Sequence, residues 1–211
     1  MHWLGAMMPR HEYTMLIGSA LIVVRLTVTQ LDIKRAAAWM RDGQILAYPT
    51  EAVWGLGCDP LNQQAVQQIL DLKTRPVDKG VILIAASVEQ VEPLLVGLTA
   101  QQRDQVVSSW PAPLTWLLPL SPSVPTWICG AHDRVAVRVS AHPVVQALCL
   151  AFGGPIVSTS ANPAGQVEAR TADQVHAYFG SAVPCVAGEV GDALQPSQIK
   201  DALTGQVLRG A

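Results

Sequence analysis

The chain has 211 residues; half are hydrophobic, 14% are charged, and the formal net charge is −2. A chain of this length hides roughly 70% of its unfolded surface on folding, so disorder by composition is excluded and no disulfide framework is needed. No global basic field exists for nucleic acid, and ten of the fourteen bases are Arg, which favours forked contacts to carboxylate or phosphate.

Met1, Met7, Met8 and Met15 are each possible starts, and Met15 to Val24 is an apolar run preceded by Arg10 and His11. A membrane helix needs about 20 residues, and no small-residue cleavage site follows this run. Residues 1–25 therefore read as an N-terminal extension without a role in chemistry, with an inefficient membrane signal as the alternative. A single domain is expected over 26–211, in a reducing cytoplasm.

Thr29 with Asp32 reads as a capping pair for a helix that places Ile33, Ala36, Ala37 and Met40 on one face and stops at Gly43. A strand follows from Gln44 to Tyr48, closed by Pro49. Asn62 caps a second helix, with Ala65, Val66, Ile69 and Leu70 inward and Lys73 in its last turn. Val81 to Ala86 is an apolar run of strand length. Ser87 and Thr99, each with Gln three residues on, open two more helices. Thr115–Leu118 and Val135–Val139 read as strands, and a helix from Pro143 ends at Gly153-Gly154. Ile156-Val157 is a short strand running into Ser158-Thr-Ser-Ala-Asn162. Thr171 caps a helix through Phe179, and Ser197–Leu203 with Gln206–Arg209 forms a hairpin around Thr204-Gly205. Helices and strands interleave, so the class is α/β with a mixed sheet.

Common signatures fail. There is no Gly-x-x-x-x-Gly-Lys loop, and Pro60 stands where the third glycine of a dinucleotide fingerprint beginning at Gly55-Leu-Gly57 belongs. Ser197-x-x-Lys200 lacks the companion motifs of a Ser/Lys hydrolase. Cysteines 58, 129, 149 and 185 have no metal-ligand spacing and read as free thiols.

Three segments stand out. Tyr48-Pro-Thr-Glu-Ala-Val-Trp-Gly-Leu-Gly-Cys-Asp59 runs from a strand into a Gly-containing turn, where a ligand crevice can form; a packed turn around Trp54 is the other reading. Lys73, Arg75 and Lys79 put three cations in seven residues, two of them beyond the helix end. They suit an anion, with Arg as a fork and Lys as a point charge, or else a solvated loop. Ser158-Thr-Ser-Ala-Asn162 offers hydroxyls, an amide and free backbone donors for a phosphate or ribose, unless it is a capped turn.

These segments, with Pro-Ala-Pro-Leu-Thr115 and Ala-Val-Arg138-Val, resemble the YrdC family in its short bacterial form, in the same order over about residues 29 to 210. The resemblance implies a twisted open mixed parallel/antiparallel sheet with flanking helices and a basic concave face. It implies synthesis of threonylcarbamoyl-adenylate from ATP, L-threonine and bicarbonate or CO2, with Mg²⁺ on the leaving phosphates. A separate tRNA transferase complex (TsaD, TsaB, TsaE) would take the product to an adenosine beside the anticodon.

Residue by residue, the resemblance implies charge-neutralising catalytic cations at Lys73, Arg75 and Arg138. Thr50, Thr115 and Ser197 fall on the threonine side, and Arg75, Lys79, Ser158, Ser160, Asn162 and Arg209 on the nucleotide side. No protein ligand for a metal is assigned. Ala52 and Lys79-Gly80 depart from longer relatives, and Ala112 replaces a usual glycine and is expected to reshape the cleft wall. The rival reading is a double-stranded RNA-binding or ribosome-maturation factor using the same cleft, a contact that can coexist with the enzyme.

Overall fold

The computed structural model describes residues 11–17, 20–26 and 30–210. Strands β1 (His11–Ile17) and β2 (Ala20–Leu26) pair antiparallel as a two-stranded sheet of their own, from His11 opposite Leu26 to Ile17 opposite Ala20. The apolar run of the N-terminal extension falls largely on this hairpin. Met1, Met7, Met8 and Thr29 lie outside the described residues.

The domain then runs β3 (Gln30–Leu31), α1 (Ile33–Arg41), β4 (Leu46–Pro49), β5 (Trp54–Gly57), α2 (Gln63–Lys73), β6 (Ile82–Ala85), α3 (Val88–Val91), α4 (Ala100–Ser108), β7 (Leu114–Pro119), α5 (Thr126–Cys129), β8 (Arg134–Val139), α6 (Pro143–Phe152), β9 (Ile156–Ser160), α7 (Ala172–Phe179), β10 (Cys185–Val186), β11 (Gln198–Asp201) and β12 (Val207–Arg209). One sheet collects ten strands in the order β12-β11-β7-β8-β6-β9-β5-β4-β10-β3. β6/β8, β7/β11, β4/β10 and β3/β10 pair parallel, and the other neighbours antiparallel. The expected open mixed sheet is what forms. Its two edges are the two-residue β3 and the three-residue β12.

Local signals place most helices. Asn62 Oδ1 accepts from the Ala65 backbone N–H at 3.0 Å, and α2 buries Ala65, Val66, Ile69 and Leu70. Thr99 and Thr171 each form a complete capping box with the Gln three residues on. Two caps differ from expectation. Asp32 caps α1, accepting from Arg35 N. Ser87 makes no cap bond; instead Gln90 Oε1 accepts from the Ala86 N–H at 2.8 Å, and the helix is a single turn.

β1, β2, β3, β5 and β10 were not expected as strands, and β9 runs longer than expected. Trp54–Gly57 is no turn but β5, hydrogen-bonded to β4 with Tyr48 opposite Gly55. A side chain at Gly57 would begin 2.6 Å from the Tyr48 ring and 2.7 Å from Val157 O, so glycine is required by a crossing aromatic, not by a ligand. The ring is fully buried, and its hydroxyl donates to Val157 O at 3.1 Å. Likewise β9 continues through Ser160, paired with β5 and β6.

Strand alternation divides the core between the two faces. Ala47, Leu56, Leu83, Val137 and Val157 pack with Ile69 of α2 and Val175 of α7. Leu46, Tyr48, Ile84 and Ile156 pack against Met40 of α1 and Leu148 of α6. On this second face the two helices stop short of one row. Asp201, Leu117, Ala136, Ile82 and Ser158 are direct neighbours across β11, β7, β8, β6 and β9. All five line an open cleft.

Candidate active site

The cleft has a volume of about 550 Å³. Its cations are Arg75, Lys79, Arg134, Arg138 and Arg209, and its carboxylates are Glu51, Asp133, Glu168 and Asp201. The expected basic face is therefore nearly balanced.

Thr50 lines the cleft in the turn after β4. Its hydroxyl donates to Val53 O at 2.7 Å, and its backbone N–H donates to the same oxygen at 3.1 Å. Glu51 follows. Its carboxylate lies 3.4 Å from Arg138 Nη2 and accepts at the other oxygen from Ser140 Oγ at 2.6 Å.

The cation cluster separates into three roles. Lys73 is 4% exposed and is absent from the cleft lining. Its ammonium donates to Ser160 O, to Asn162 O at 2.7 Å and to Asn162 Oδ1 at 3.2 Å. Burial, then repulsion from Arg75, lowers its pKa to about 8. Lys73, expected as a point charge for an anion, is a buried strut to the Ser160–Asn162 backbone in this structure. Arg75 lines the cleft and donates to Gly80 O through Nε (3.2 Å) and Nη2 (3.0 Å), and to Lys79 O at 3.3 Å. It closes the loop that holds Lys79 at the cleft, and burial lowers its pKa. Of the three, Lys79 is the exposed charge.

Ser158 and Ser160 line the cleft; Asn162 does not. Two backbone donors of this segment are spent: Ala161 N donates to Trp54 O at 2.8 Å and Asn162 N to Ser160 O at 3.1 Å. The Asn162 amide donates to Gln166 O at 2.7 Å, folding the following loop.

Thr115, Ser197 and Arg209 form one cluster. Thr115 is fully buried, with its hydroxyl 2.8 Å from Ser197 Oγ. Arg209 donates to Ser197 O from Nε (3.0 Å) and Nη2 (2.7 Å), and to Ser197 Oγ at 3.3 Å. Ser197, expected on the threonine side, and Arg209, expected on the nucleotide side, are thus in direct contact. Ala112 N donates to Val139 O at 3.2 Å and lies outside the lining, next to Pro113, which is part of it.

Sequence reading missed Arg134, whose guanidinium pairs with Asp133 (2.8 Å) and Asp201 (3.4 Å) in the cleft. The signal was present: residues 134, 136 and 138 of one strand share a face. Glu168 was also missed, and no local pattern marks it. All four cysteines are free and buried, and burial pushes the Cys149 and Cys185 thiols up to about 12. No helix among the described residues is long and apolar enough to cross a membrane.

Comparison with known proteins matches this chain along most of its length. It is 53% identical over 175 residues to a threonylcarbamoyl-AMP synthase of Cellvibrio japonicus, covering 82% of this chain and 93% of that one. It is 51% identical over 172 residues to one from Escherichia coli O1:K1 / APEC, covering 81% and 90%. P. abyssi Sua5, solved in complex with L-threonine, superposes with a TM-score of 0.75 at 35% identity over 80% of this chain; the chain spans half the length of that protein. E. coli YciO, at 22% identity and TM-score 0.73 over 84% of this chain and 87% of its own, shares the fold. The model of the Sua5/YciO/YrdC family, described as "Telomere recombination", matches residues 38–211, and the chain belongs to that family.

Proposed function

We propose that this chain is a threonylcarbamoyl-AMP synthase, joining L-threonine, CO2 or bicarbonate, and ATP into threonylcarbamoyl-adenylate with release of pyrophosphate. The observation that carries the reading is one cleft that sets Arg138 beside the Thr50 turn and Arg75, Lys79 and Arg209 around neutral hydroxyls. Relatives at 51–53% identity bear that name.

The chemistry asks for little from a protein nucleophile. The threonine amine attacks the carbon of CO2 and loses a proton, giving a carbamate. A carbamate oxygen then attacks the α-phosphorus in line, the bond to the β-phosphate oxygen breaks, and pyrophosphate leaves. Positioning and charge neutralisation dominate such a step. Arg138, next to Thr50, takes the carboxylate of threonine by a forked contact. Arg75 and Lys79 face the polyphosphate, Ser158 and Ser160 offer hydroxyls to the adenylate, and Arg209 closes on the nucleotide from β12. Lys73 and Asn162 act behind them by fixing the backbone at Ser160. Thr115 acts through Ser197, beside Arg209.

Among the described residues no group of three His, Cys, Asp or Glu side chains could hold a metal ion. Mg²⁺ is proposed to arrive with ATP, bound mainly by phosphates and water, as that ion usually is. The product is proposed to pass to a tRNA threonylcarbamoyl transferase complex (TsaD, TsaB, TsaE) in the cytoplasm. The near-balance of charge in the cleft favours this reading over an RNA grip, which needs a dominant basic track.

The test is incorporation of radiolabelled bicarbonate into a nucleotide product. Label should appear only when ATP and L-threonine are both present, with one pyrophosphate per product. RNA binding that weakens steeply with salt, with no label incorporated, would overturn the reading.

A further inference from the structure

Glu51 is held at its carboxylate and at its backbone. Ser140 Oγ donates to its Oε1 at 2.6 Å, and Ser140 is itself fixed by the His142 N–H at 3.1 Å. Its carbonyl accepts from Ala193 N at 3.0 Å, while Gly191 N donates to Thr50 O at 2.9 Å. These last two bonds come from the segment between β10 and β11. That segment runs so close that a side chain at Gly191 would begin 3.0 Å from Glu51 O and 3.3 Å from its Cα. The result is a carboxylate aimed at one target: Oε2 lies 3.4 Å from Arg138 Nη2.

The second observation is what that pair lacks. Glu51 Oε2 and Arg138 Nε are both shielded from solvent, and among the described residues neither makes a hydrogen bond. Arg138 as a whole is 7% exposed. A guanidinium so buried needs a counter-charge. The residue supplying it cannot present Oε2 to a ligand from where that atom sits. At 3.4 Å, without a hydrogen bond, Glu51 neutralises Arg138 while consuming none of its N–H donors.

Resting on the synthase reading, we infer that Glu51 is the positioning residue of Arg138. It sets the angle at which the guanidinium meets the threonine carboxylate, and it does so without touching substrate. The turn that carries Thr50 thereby acts on the threonine end twice, once by its own lining and once through Arg138. Arg209 has its own anchor, Ser197; burial, then repulsion from Arg138, lowers its pKa.

The experiment compares wild type, Glu51→Gln, Glu51→Asp and Ser140→Ala. Glu51→Gln keeps the shape and removes the charge. Ser140→Ala keeps the charge and frees its aim. Threonine binding is measured by calorimetry, alongside KM for threonine and for ATP and kcat. Glu51→Gln should weaken threonine by about tenfold or more and leave KM for ATP within about twofold. Ser140→Ala should shift threonine in the same direction by less, and Glu51→Asp should recover part of the loss. Unchanged threonine binding in folded Glu51→Gln overturns the inference, as does an equal rise in both KM values, which marks general loosening of the cleft. If Glu51→Gln does not fold, Ser140→Ala decides on the same readout. A wild-type chain that neither binds threonine nor incorporates bicarbonate fails at the synthase reading itself, and the inference falls with it.

Discussion

Lys73 Nζ donates to the backbone carbonyl of Asn162 at 2.7 Å, across 89 residues of sequence. The last turn of α2 is thereby tied to the segment that follows β9, and an ammonium that reads as a phosphate ligand becomes a strut.

Removing that strut should cost both stability and rate. A hydrogen bond to a charged group is worth about 1.5–3 kcal/mol, and Lys73→Ala should lose about that much in urea unfolding. A misplaced Ser160 should lower turnover by on the order of 10². The pH dependence has a defined sign. Burial, then repulsion from Arg75, lowers the Lys73 pKa from 10.5 to about 8, against a pull from Glu168. Between those values the unfolded chain binds more protons than the folded one. The contribution of this group is fully present above the unfolded value and is lost as pH falls through the folded one. Wild type should therefore gain urea resistance with rising pH across that window relative to Lys73→Met. Parallel pH profiles for the two proteins would contradict it.

Arg75 is expected to resist conservative replacement. Its two contacts to Gly80 O come from different nitrogens of one planar group. A lysine supplies a single ammonium and cannot reproduce that geometry. Arg75→Lys should raise KM for ATP nearly as far as Arg75→Ala, by about tenfold or more for a lost charged contact. Steady-state kinetics with varied ATP checks this, and full activity in Arg75→Lys would show that charge alone suffices.

The two ends of the cleft should separate kinetically. Ser160→Ala and Arg209→Ala are expected to raise KM for ATP more than KM for threonine. Thr50→Ala should do the reverse, by roughly tenfold for one neutral hydrogen bond. Ser197 touches both Thr115 and Arg209, so Ser197→Ala should follow Arg209→Ala. A Thr50→Ala variant that weakens ATP alone would exchange the ends.

Deleting residues 1–25 is expected to leave turnover and urea midpoint unchanged. β1 and β2 pair with each other and contribute no strand to the ten-stranded sheet. Assays of the truncated protein beside the full chain check this, and lost activity in a folded truncation would give the hairpin a role.

What could be read from the sequence was mostly local. The Asn62 cap and the buried face of α2 depend on residues three and four apart, which a one-dimensional pattern records. β5 escaped because two of its four residues are glycines, and Gly57 is required by the ring of Tyr48 on the neighbouring strand. The Lys73 strut and the Glu51–Arg138 pair each span more than eighty positions. Nothing near Lys73 in the sequence distinguishes a cation that reaches solvent from one that turns inward. Arg134 is different, because its even spacing from Arg138 was available and only the strand's first residue was misplaced.

The sheet's unequal construction bears on how molecules of this protein meet at high concentration. Eight strands lie between β3 and β12, and those two outer strands are two and three residues long. An incoming extended peptide would find few open N–H and C=O groups at either border, too few to set a stable register. Crowded copies thus have little opportunity to extend one another's ten-stranded sheet, whose longer inner strands, which could template such growth, are already paired on both sides.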